Sequence, residues 1–222
     1  MIVINGDSYS HQFHFEDTPD VKWSNIIAAD HNLAFGGSSN DRIFITTLDF
    51  LTHTVPDILI IGWSHYYRWM RTNEQGTIIN LPNDTDPCAK FIPNKYSQLK
   101  NTLNYMYFLQ EHCKHIGTEL VYFMSVINRE YIMEDLHNCV KSANYSKTNL
   151  DQKRLGYAET LGKTMKLIDR LDPSIWIHNQ IFASIDDTTK HLPRVSDTDD
   201  HPGAEASIEH ARIISDKIQQ KG

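Results

Sequence analysis

An uninterrupted apolar run constrains the fold of this chain more than any other stretch: DILIIGWS, at Asp57–Ser64. A strand with one face in water alternates apolar and polar residues. This run does not, so we expect both of its faces to be buried, as in a parallel sheet that helices cover on either side. The runs at Ile2–Ile4 and Glu119–Val126 have the same character, so the sequence predicts several parallel strands.

Segments of helical periodicity separate these strands. Apolar residues recur at helical spacing in the segments 40–53, 95–115, 155–168 and 208–218. Short apolar stretches at Asn32–Phe35 and Ser174–Asn179 predict two further strands, whereas residues 72–94 and 127–150 are polar and are predicted as loops. The alternation of strand and helix predicts one doubly wound α/β sheet, and no shift in composition divides residues 1–222 into two domains.

The balance of charge excludes one class of partner. Asp and Glu number 28 against 21 Lys and Arg, a formal net charge of -7, whereas phosphate backbones require a basic surface. We therefore expect no nucleic acid partner. No apolar run reaches about 18 residues, and Asp7 interrupts the opening strand, so we expect neither a membrane span nor a signal peptide. The three cysteines lack C-x-x-C spacing and predict reduced thiols in a cytoplasmic protein.

Four short motifs lie where an open α/β sheet places its ligands, at strand ends or just before a helix. Gly6-Asp7-Ser8 follows the first strand, Gly36-Gly37 follows the second, and Gly62-Trp63-Ser64-His65 ends the third. The segment DTDDHPG, Asp197–Gly203, precedes the last helix. We expect one edge of the sheet to bring these motifs together.

In these motifs the chain resembles the SGNH hydrolases, the GDSL-type esterases and lipases. Gly6-Asp7-Ser8 resembles the first block of that family, and NLAFGGSSNDRI (Asn32–Ile43) resembles the second. IGWSHYY (Ile61–Tyr67) stands where the third block belongs, and DDHP (Asp199–Pro202) resembles the last. The resemblance implies a three-layer α/β/α sandwich of flavodoxin-like type, with five parallel strands in the order 2-1-3-4-5.

The resemblance also implies an activity, the cleavage of carboxylic esters through an acyl-enzyme on Ser8. A serine hydroxyl needs an adjacent base, and His201 would take its proton and return it to the leaving alcohol. A carboxylate would hold the correct tautomer of the imidazole. The family usually places this acid three residues before the histidine, where this chain has Thr198. We favour Asp199 as the acid, with Asp197 as the alternative.

An oxyanion hole is implied as well, since the negative charge that develops on the carbonyl oxygen needs preorganised donors. The backbone N–H groups of Ser8 and Gly37 are the first two candidates. The third block departs from the family, because Ser64 stands in place of an asparagine and His65 in place of the following acid. A serine hydroxyl has a shorter reach than an amide, and we expect Ser64, assisted by His65, to supply the third donor.

Side chains around these motifs are candidates for substrate contact. They are Asp7, Trp63, His65 and Arg68, and aromatic faces beside an arginine suit a sugar ring or an acidic group. The resemblance implies a small-molecule or carbohydrate ester as substrate, with O-acetyl groups on carbohydrates as a plausible class. It implies no metal and no organic cofactor.

Two other functions stay open on the sequence. The serine at position 64 and the shifted acid also fit an SGNH fold whose catalytic centre has decayed, kept as a carbohydrate-binding or assembly module. Acyl transfer to a sugar would use the same acyl-enzyme with a different acceptor. Activation of Ser8 separates the esterase from the first alternative, and product analysis with added acceptors separates it from the second.

Overall fold

The computed structural model describes residues 1–11, 22–66, 68, 70–72, 78–80, 95–127, 129–143, 150–196 and 199–220. The strands are β1 (Ile2–Asn5), β2 (His31–Asn32), β3 (Ile58–Trp63), β4 (Met70–Thr72), β5 (Ile78–Asn80), β6 (Glu119–Met124), β7 (Arg194–Ser196) and β8 (Asp199–Pro202). The helices are α1 (Trp23–Ile26), α2 (Asn40–His53), α3 (Lys95–Ile116), α4 (Arg129–Ala143), α5 (Leu150–Ile168), α6 (Ile185–Thr189) and α7 (Ala204–Gln219).

A parallel sheet of four strands lies at the centre, in the order β2-β1-β3-β6. The apolar run at Asp57–Ser64 forms β3, which pairs with β1 on one side and with β6 on the other. Residues Leu59 to Trp63 are buried, as the lack of alternation predicts. The prediction of a parallel α/β sheet is therefore confirmed.

Helices cover both faces of the sheet. Successive residues of each strand point to opposite faces, so one strand contributes side chains to two cores. Leu59 and Ile61 belong to one core, which they share with residues of α2, α3 and α4. Ile60 belongs to a second core with Trp23 of α1 and Ile214 of α7. The sheet therefore forms the middle of three layers. In the described part of the chain, no helix has both the length and the apolar character needed to cross a membrane.

The fifth strand predicted at Ser174–Asn179 is absent from the described sheet. The segment forms two 3-10 turns, Pro173–Ile175 and Ile177–Asn179, and Trp176 makes an isolated parallel bridge to Tyr122. The side chain of Asp172 accepts from the N–H of Ser174 and starts the first turn, while His178 has a φ of 55°, outside the range of strands. The described sheet thus matches the first four positions of the predicted order.

Two predicted loops contain regular structure. Helix α4 lies within residues 127–150 and buries Ile132 and Leu136, which are four residues apart on one face of the helix. Strands β4 and β5 pair in antiparallel fashion at the start of the predicted loop 72–94, with β4 beginning two residues before it. The remainder of that loop lies outside the described residues. A second antiparallel hairpin, β7 with β8, precedes α7 and carries His201.

Candidate active site

Ser8 lies in a tight turn directly after β1. The carbonyl oxygen of Asp7 accepts the N–H groups of Ser10 at 3.0 Å and His11 at 2.9 Å. The Oδ1 atom of Asp7 accepts the N–H of Tyr9 at 3.1 Å, so side chain and backbone of one residue hold the same turn. Ser8 keeps 7% of its surface exposed at the carboxyl end of the strand.

Glycines allow the ends of β1 and β3 to approach this turn closely. A Cβ atom on Gly6 would lie 2.5 Å from Oγ of Ser10 and 2.9 Å from the carbonyl oxygen of Gly62. A Cβ atom on Gly62 would lie 2.6 Å from the ring of Phe123 and 2.7 Å from Oγ of Ser10. Only glycine fits at these two positions without displacing a neighbour, and the first and third motifs are therefore packed against each other.

The turn that contains Gly37 lies beside the same strand end. Gly37 has a φ of 74°, in the left-handed region that favours glycine. The N–H of Phe35 donates to the carbonyl oxygen of Gly6 at 3.2 Å, and Nδ2 of Asn32 donates to the carbonyl oxygen of Ser10 at 2.9 Å. These bonds hold the second motif against the turn of the first.

A reciprocal pair of hydrogen bonds joins the third motif to the start of α2. The N–H of Ser64 donates to Oδ1 of Asn40 at 2.8 Å, and Nδ2 of Asn40 donates back to the carbonyl oxygen of Ser64 at 3.0 Å. Asn40 is 2% exposed and follows Ser39, the N-cap of the helix. Asn40 was not among the site residues predicted from the sequence. The sequence feature that could have pointed to it is an asparagine directly after the capping serine, inside the second motif.

Arg68 connects the first motif to the third. Its Nη1 atom lies 3.1 Å from Oδ2 of Asp7 and 2.9 Å from Oγ of Ser64. The side chain of Asp7 is fully buried, while that of Arg68 is 27% exposed, so the guanidinium neutralises a carboxylate that has left water. Asp7 was expected to contact substrate, and the structure buries it beneath Arg68 instead.

Ser64 is buried as Asp7 is, although it was expected to be a donor of the oxyanion hole. The residue is fully buried, and its Oγ accepts a hydrogen bond from Arg68. An atom without exposed surface does not meet a substrate in this structure. The hydroxyl therefore holds the guanidinium, and the role of Ser64 in the oxyanion hole stays a prediction.

His201 lies against the residue that follows the candidate nucleophile. Its ring centroid is 5.3 Å from that of Tyr9, with the planes tilted by 38°. His201 is half-buried in β8, and the strand ends just before Gly203, whose N–H donates to the carbonyl oxygen of Pro193 at 3.1 Å. A Cβ atom on Gly203 would lie 2.6 Å from that oxygen, so the hairpin closes tightly behind the histidine.

Of the two candidate acids, the structure describes the backbone of one, Asp199. Asp199 is the first residue of β8, two residues before His201, and opposes Ser196 in the hairpin. Asp197 and Thr198 lie outside the described residues. The choice of Asp199 over Asp197 therefore stays a prediction.

Two further candidates for substrate contact belong to aromatic clusters. Trp63 is fully buried, with its ring edge-on to Tyr122 at 5.4 Å, so it packs in the core and we no longer expect it to touch substrate. His65 is half-buried, stacks on Tyr66 at 5.1 Å and meets the edge of Tyr131 at 5.8 Å. His65 therefore lies between the end of β3 and helix α4.

Aromatic and basic side chains line the loop of the second motif. Phe35 is 47% exposed, carries the guanidinium of Arg42 at 4.0 Å over its ring and meets His11 edge-on at 5.6 Å. Burial lowers the pKa of His11, and the charges of Lys22 and Arg42 lower it further, which favours the neutral imidazole. Across the residues that the structure describes, no group of three or more His, Cys, Asp or Glu side chains forms a candidate metal site.

No family model matches the chain, and no curated protein matches its sequence. Its structure, in contrast, resembles solved structures over nearly the whole length. TesA has a TM-score of 0.52 at 8% identity, covering 99% of this chain and 98% of TesA. The esterase EstA from a Pseudoalteromonas species has a TM-score of 0.51 at 10% identity, covering 99% of this chain and 96% of EstA.

A third solved structure is a catalytic mutant of Axe2, an acetylxylan esterase from Geobacillus stearothermophilus. It has a TM-score of 0.50 at 11% identity, covering 98% of this chain and 93% of Axe2. The chain therefore shares the overall α/β fold of these proteins. At identities of 8 to 11%, these likenesses show the shared fold alone.

Proposed function

We propose that the chain is a serine esterase that hydrolyses carboxylic esters through an acyl-enzyme on Ser8. One observation carries the proposal: the turn of Ser8 and the strand of His201 meet through Tyr9, at the carboxyl edge of the sheet. Open α/β sheets bind their ligands at this edge. Nucleophilic acyl transfer requires a serine with a base within reach, and we assign these roles to Ser8 and His201.

The proposed reaction has two halves. The Oγ atom of Ser8 attacks the ester carbonyl carbon while His201 takes the hydroxyl proton, and the tetrahedral intermediate then expels the alcohol, which receives that proton. A water molecule next attacks the acyl-enzyme, giving its proton to His201. Collapse of the second intermediate releases the carboxylic acid and returns the proton to Ser8. The sum is ester plus water to acid plus alcohol.

Backbone donors would stabilise the charge on the carbonyl oxygen. The N–H groups of Ser8 and Gly37 are proposed for this role, since donors fixed before the reaction need no reorganisation as charge develops. The hydrogen bonds from Phe35 to Gly6 and from Asn32 to Ser10 hold these two turns side by side. For the acid, Asp199 is proposed, with Asp197 as the alternative.

O-acetyl groups on carbohydrates are the proposed substrate class. Two of the structurally similar proteins are described as an esterase and as an acetylxylan esterase, which supports this choice at the level of the shared fold. The half-exposed ring of Phe35 beside the turn of Gly37 offers an aromatic surface to a sugar. Acyl transfer and a decayed binding module are outcomes that the following experiment separates.

Turnover tests the proposal. We expect hydrolysis of 4-nitrophenyl acetate and release of acetate from an acetylated sugar oligomer, both reduced at least about 1000-fold in Ser8→Ala and in His201→Ala. Ser10→Ala, a buried serine in the same turn, is the matched control and should keep its activity. Activity that persists in Ser8→Ala would contradict the proposal. Acetylation of an added sugar in place of acetate release would indicate acyl transfer.

A further inference from the structure

We infer that Arg68 is the third oxyanion donor and that Ser64 and Asp7 are its positioning residues. The inference rests on the proposed esterase function and extends it. It assigns to a guanidinium the role that the sequence had assigned to the hydroxyl of Ser64.

Exposure separates the candidates for this role. Ser64 and the side chain of Asp7 have no exposed surface, whereas the side chain of Arg68 is 27% exposed. A group that stabilises a substrate oxygen has to contact that oxygen. Within this cluster of three, Arg68 is the member that reaches the surface.

The position of the guanidinium follows from the nucleophile turn. Oδ1 of Asp7 accepts the N–H of Tyr9, and Oδ2 of the same carboxylate accepts Nη1 of Arg68. One buried carboxylate therefore links Arg68 to the backbone on the far side of Ser8. Ser8, the reacting serine, lies in sequence between Asp7 and Tyr9, which are joined by the bond to Oδ1. Because Arg68 binds the same carboxylate, its guanidinium is fixed relative to Ser8.

Ser64 holds the same nitrogen atom of the guanidinium. Its Oγ accepts from Nη1 at 2.9 Å, and its backbone is clamped by both amide atoms of Asn40. Carboxylate and hydroxyl together hold Nη1, which carries two of the five N–H donors of a guanidinium. The remaining donors are on Nη2 and Nε, and a planar, permanently charged group keeps their directions fixed.

The electron flow at Arg68 requires no proton transfer. As the bond from Oγ of Ser8 to the carbonyl carbon forms, the π electrons of the carbonyl move onto its oxygen, and an N–H group of Arg68 donates a hydrogen bond to it. When the bond to the alcohol breaks, those electrons re-form the carbonyl. A hydrogen bond from a cation strengthens as the oxygen becomes negative, which selectively stabilises the transition state.

The test compares Arg68→Ala with Ser64→Ala on 4-nitrophenyl acetate, a neutral ester. We expect Arg68→Ala to lower kcat about 100- to 1000-fold with KM little changed, and Ser64→Ala, which removes only a positioning contact, to lower it about 10-fold or less. Millimolar guanidinium should restore part of kcat to Arg68→Ala. Urea, which has a similar shape and no charge, should not.

Two further variants guard against loss of structure. Arg68→Lys keeps a cation for the buried Asp7 and should retain more kcat than Arg68→Ala. Arg212→Ala removes an exposed arginine that also pairs with two carboxylates, Glu209 and Asp216, and should behave as wild type. Rescue by guanidinium would itself show that Arg68→Ala is folded.

The outcomes distinguish this inference from the function on which it rests. An active wild type with unchanged kcat in Arg68→Lys and Arg68→Ala would overturn the assignment of Arg68 alone. A loss in Ser64→Ala as large as in Arg68→Ala, without rescue by guanidinium, would return the role to Ser64. An effect confined to KM for negatively charged esters would make Arg68 a substrate anchor and overturn the inference. A wild type without Ser8-dependent turnover would overturn both proposals.

Discussion

Among single residues, Asp7 stabilises the candidate site because it accepts several hydrogen bonds. Its oxygen atoms accept the N–H groups of Tyr9, Ser10 and His11 and the guanidinium of Arg68. The carboxylate itself accepts from Tyr9 and Arg68, whereas Ser10 and His11 donate to the backbone carbonyl oxygen. A carboxylate at the surface would exchange its partners for water, but that of Asp7 is fully buried, so Asp7 shapes the turn on which the chemistry is proposed to occur.

A pair of glycines makes the packing at the strand ends testable. Gly62→Ala would place a methyl group 2.6 Å from the ring of Phe123, and we expect it to lower the free energy of unfolding by about 1–3 kcal/mol. A methyl group on Gly162, inside helix α5, would meet no atom of the described residues within 4 Å. Gly162→Ala should therefore raise the free energy of unfolding by about 0.5–1 kcal/mol.

Urea unfolding of both variants measures these two changes. Equal effects of the same sign would contradict the close approach of β1, β3 and β6 at this point. Preserved stability with lost esterase turnover in Gly62→Ala would instead show that the glycine matters to the site and not to the packing.

At the scale of elements, the contact between α6 and α7 predicts a dependence of stability on pH. His210 is fully buried, its Nε2 lies 2.6 Å from Oγ1 of Thr189, and burial lowers its pKa from 6.5 to about 4, with the charge of Arg194 adding to the shift. The unfolded chain therefore binds a proton near pH 6.5 that the folded chain does not accept until about pH 4.

Stability should thus be complete above pH 6.5 and fall as the pH drops toward 4, by about 3 kcal/mol for this group. The measurement is urea unfolding of wild type and His210→Gln across this range. The free energy of unfolding of the wild type should decline more steeply than that of the variant. Parallel curves would show that folding does not lower the pKa of His210.

Whether an element could be predicted depends on how much of the pattern that specifies it lies within its own residues. The helix over residues 40–53 is present as predicted, because its apolar positions repeat and Ser39 caps it. Helix α4 was predicted as a loop, since the buried Ile132 and Leu136 stand among many polar residues. The strand expected at Ser174–Asn179 gave way to turns because Pro173 and the left-handed His178 override an apolar pattern.

For the whole molecule, the sequence predicted which edge of the sheet gathers the motifs, because parallel strands deliver their carboxyl ends to one side. Spacing did not predict which polar atoms meet across that edge. The clamp between Asn40 and Ser64 joins residues 24 positions apart, and the bond from Arg68 to Asp7 spans 61 positions. Such partners depend on the packing of whole elements, so they became visible only in the structure.

Intact-mass analysis after treatment with a fluorophosphonate, on wild type and Ser8→Ala, tests the central claim most directly. We predict one adduct on the wild type and none on the variant, because only a serine activated by a base reacts at neutral pH. The absence of any adduct on the folded wild type, or an adduct that persists in Ser8→Ala, would contradict the assignment of Ser8 as the nucleophile.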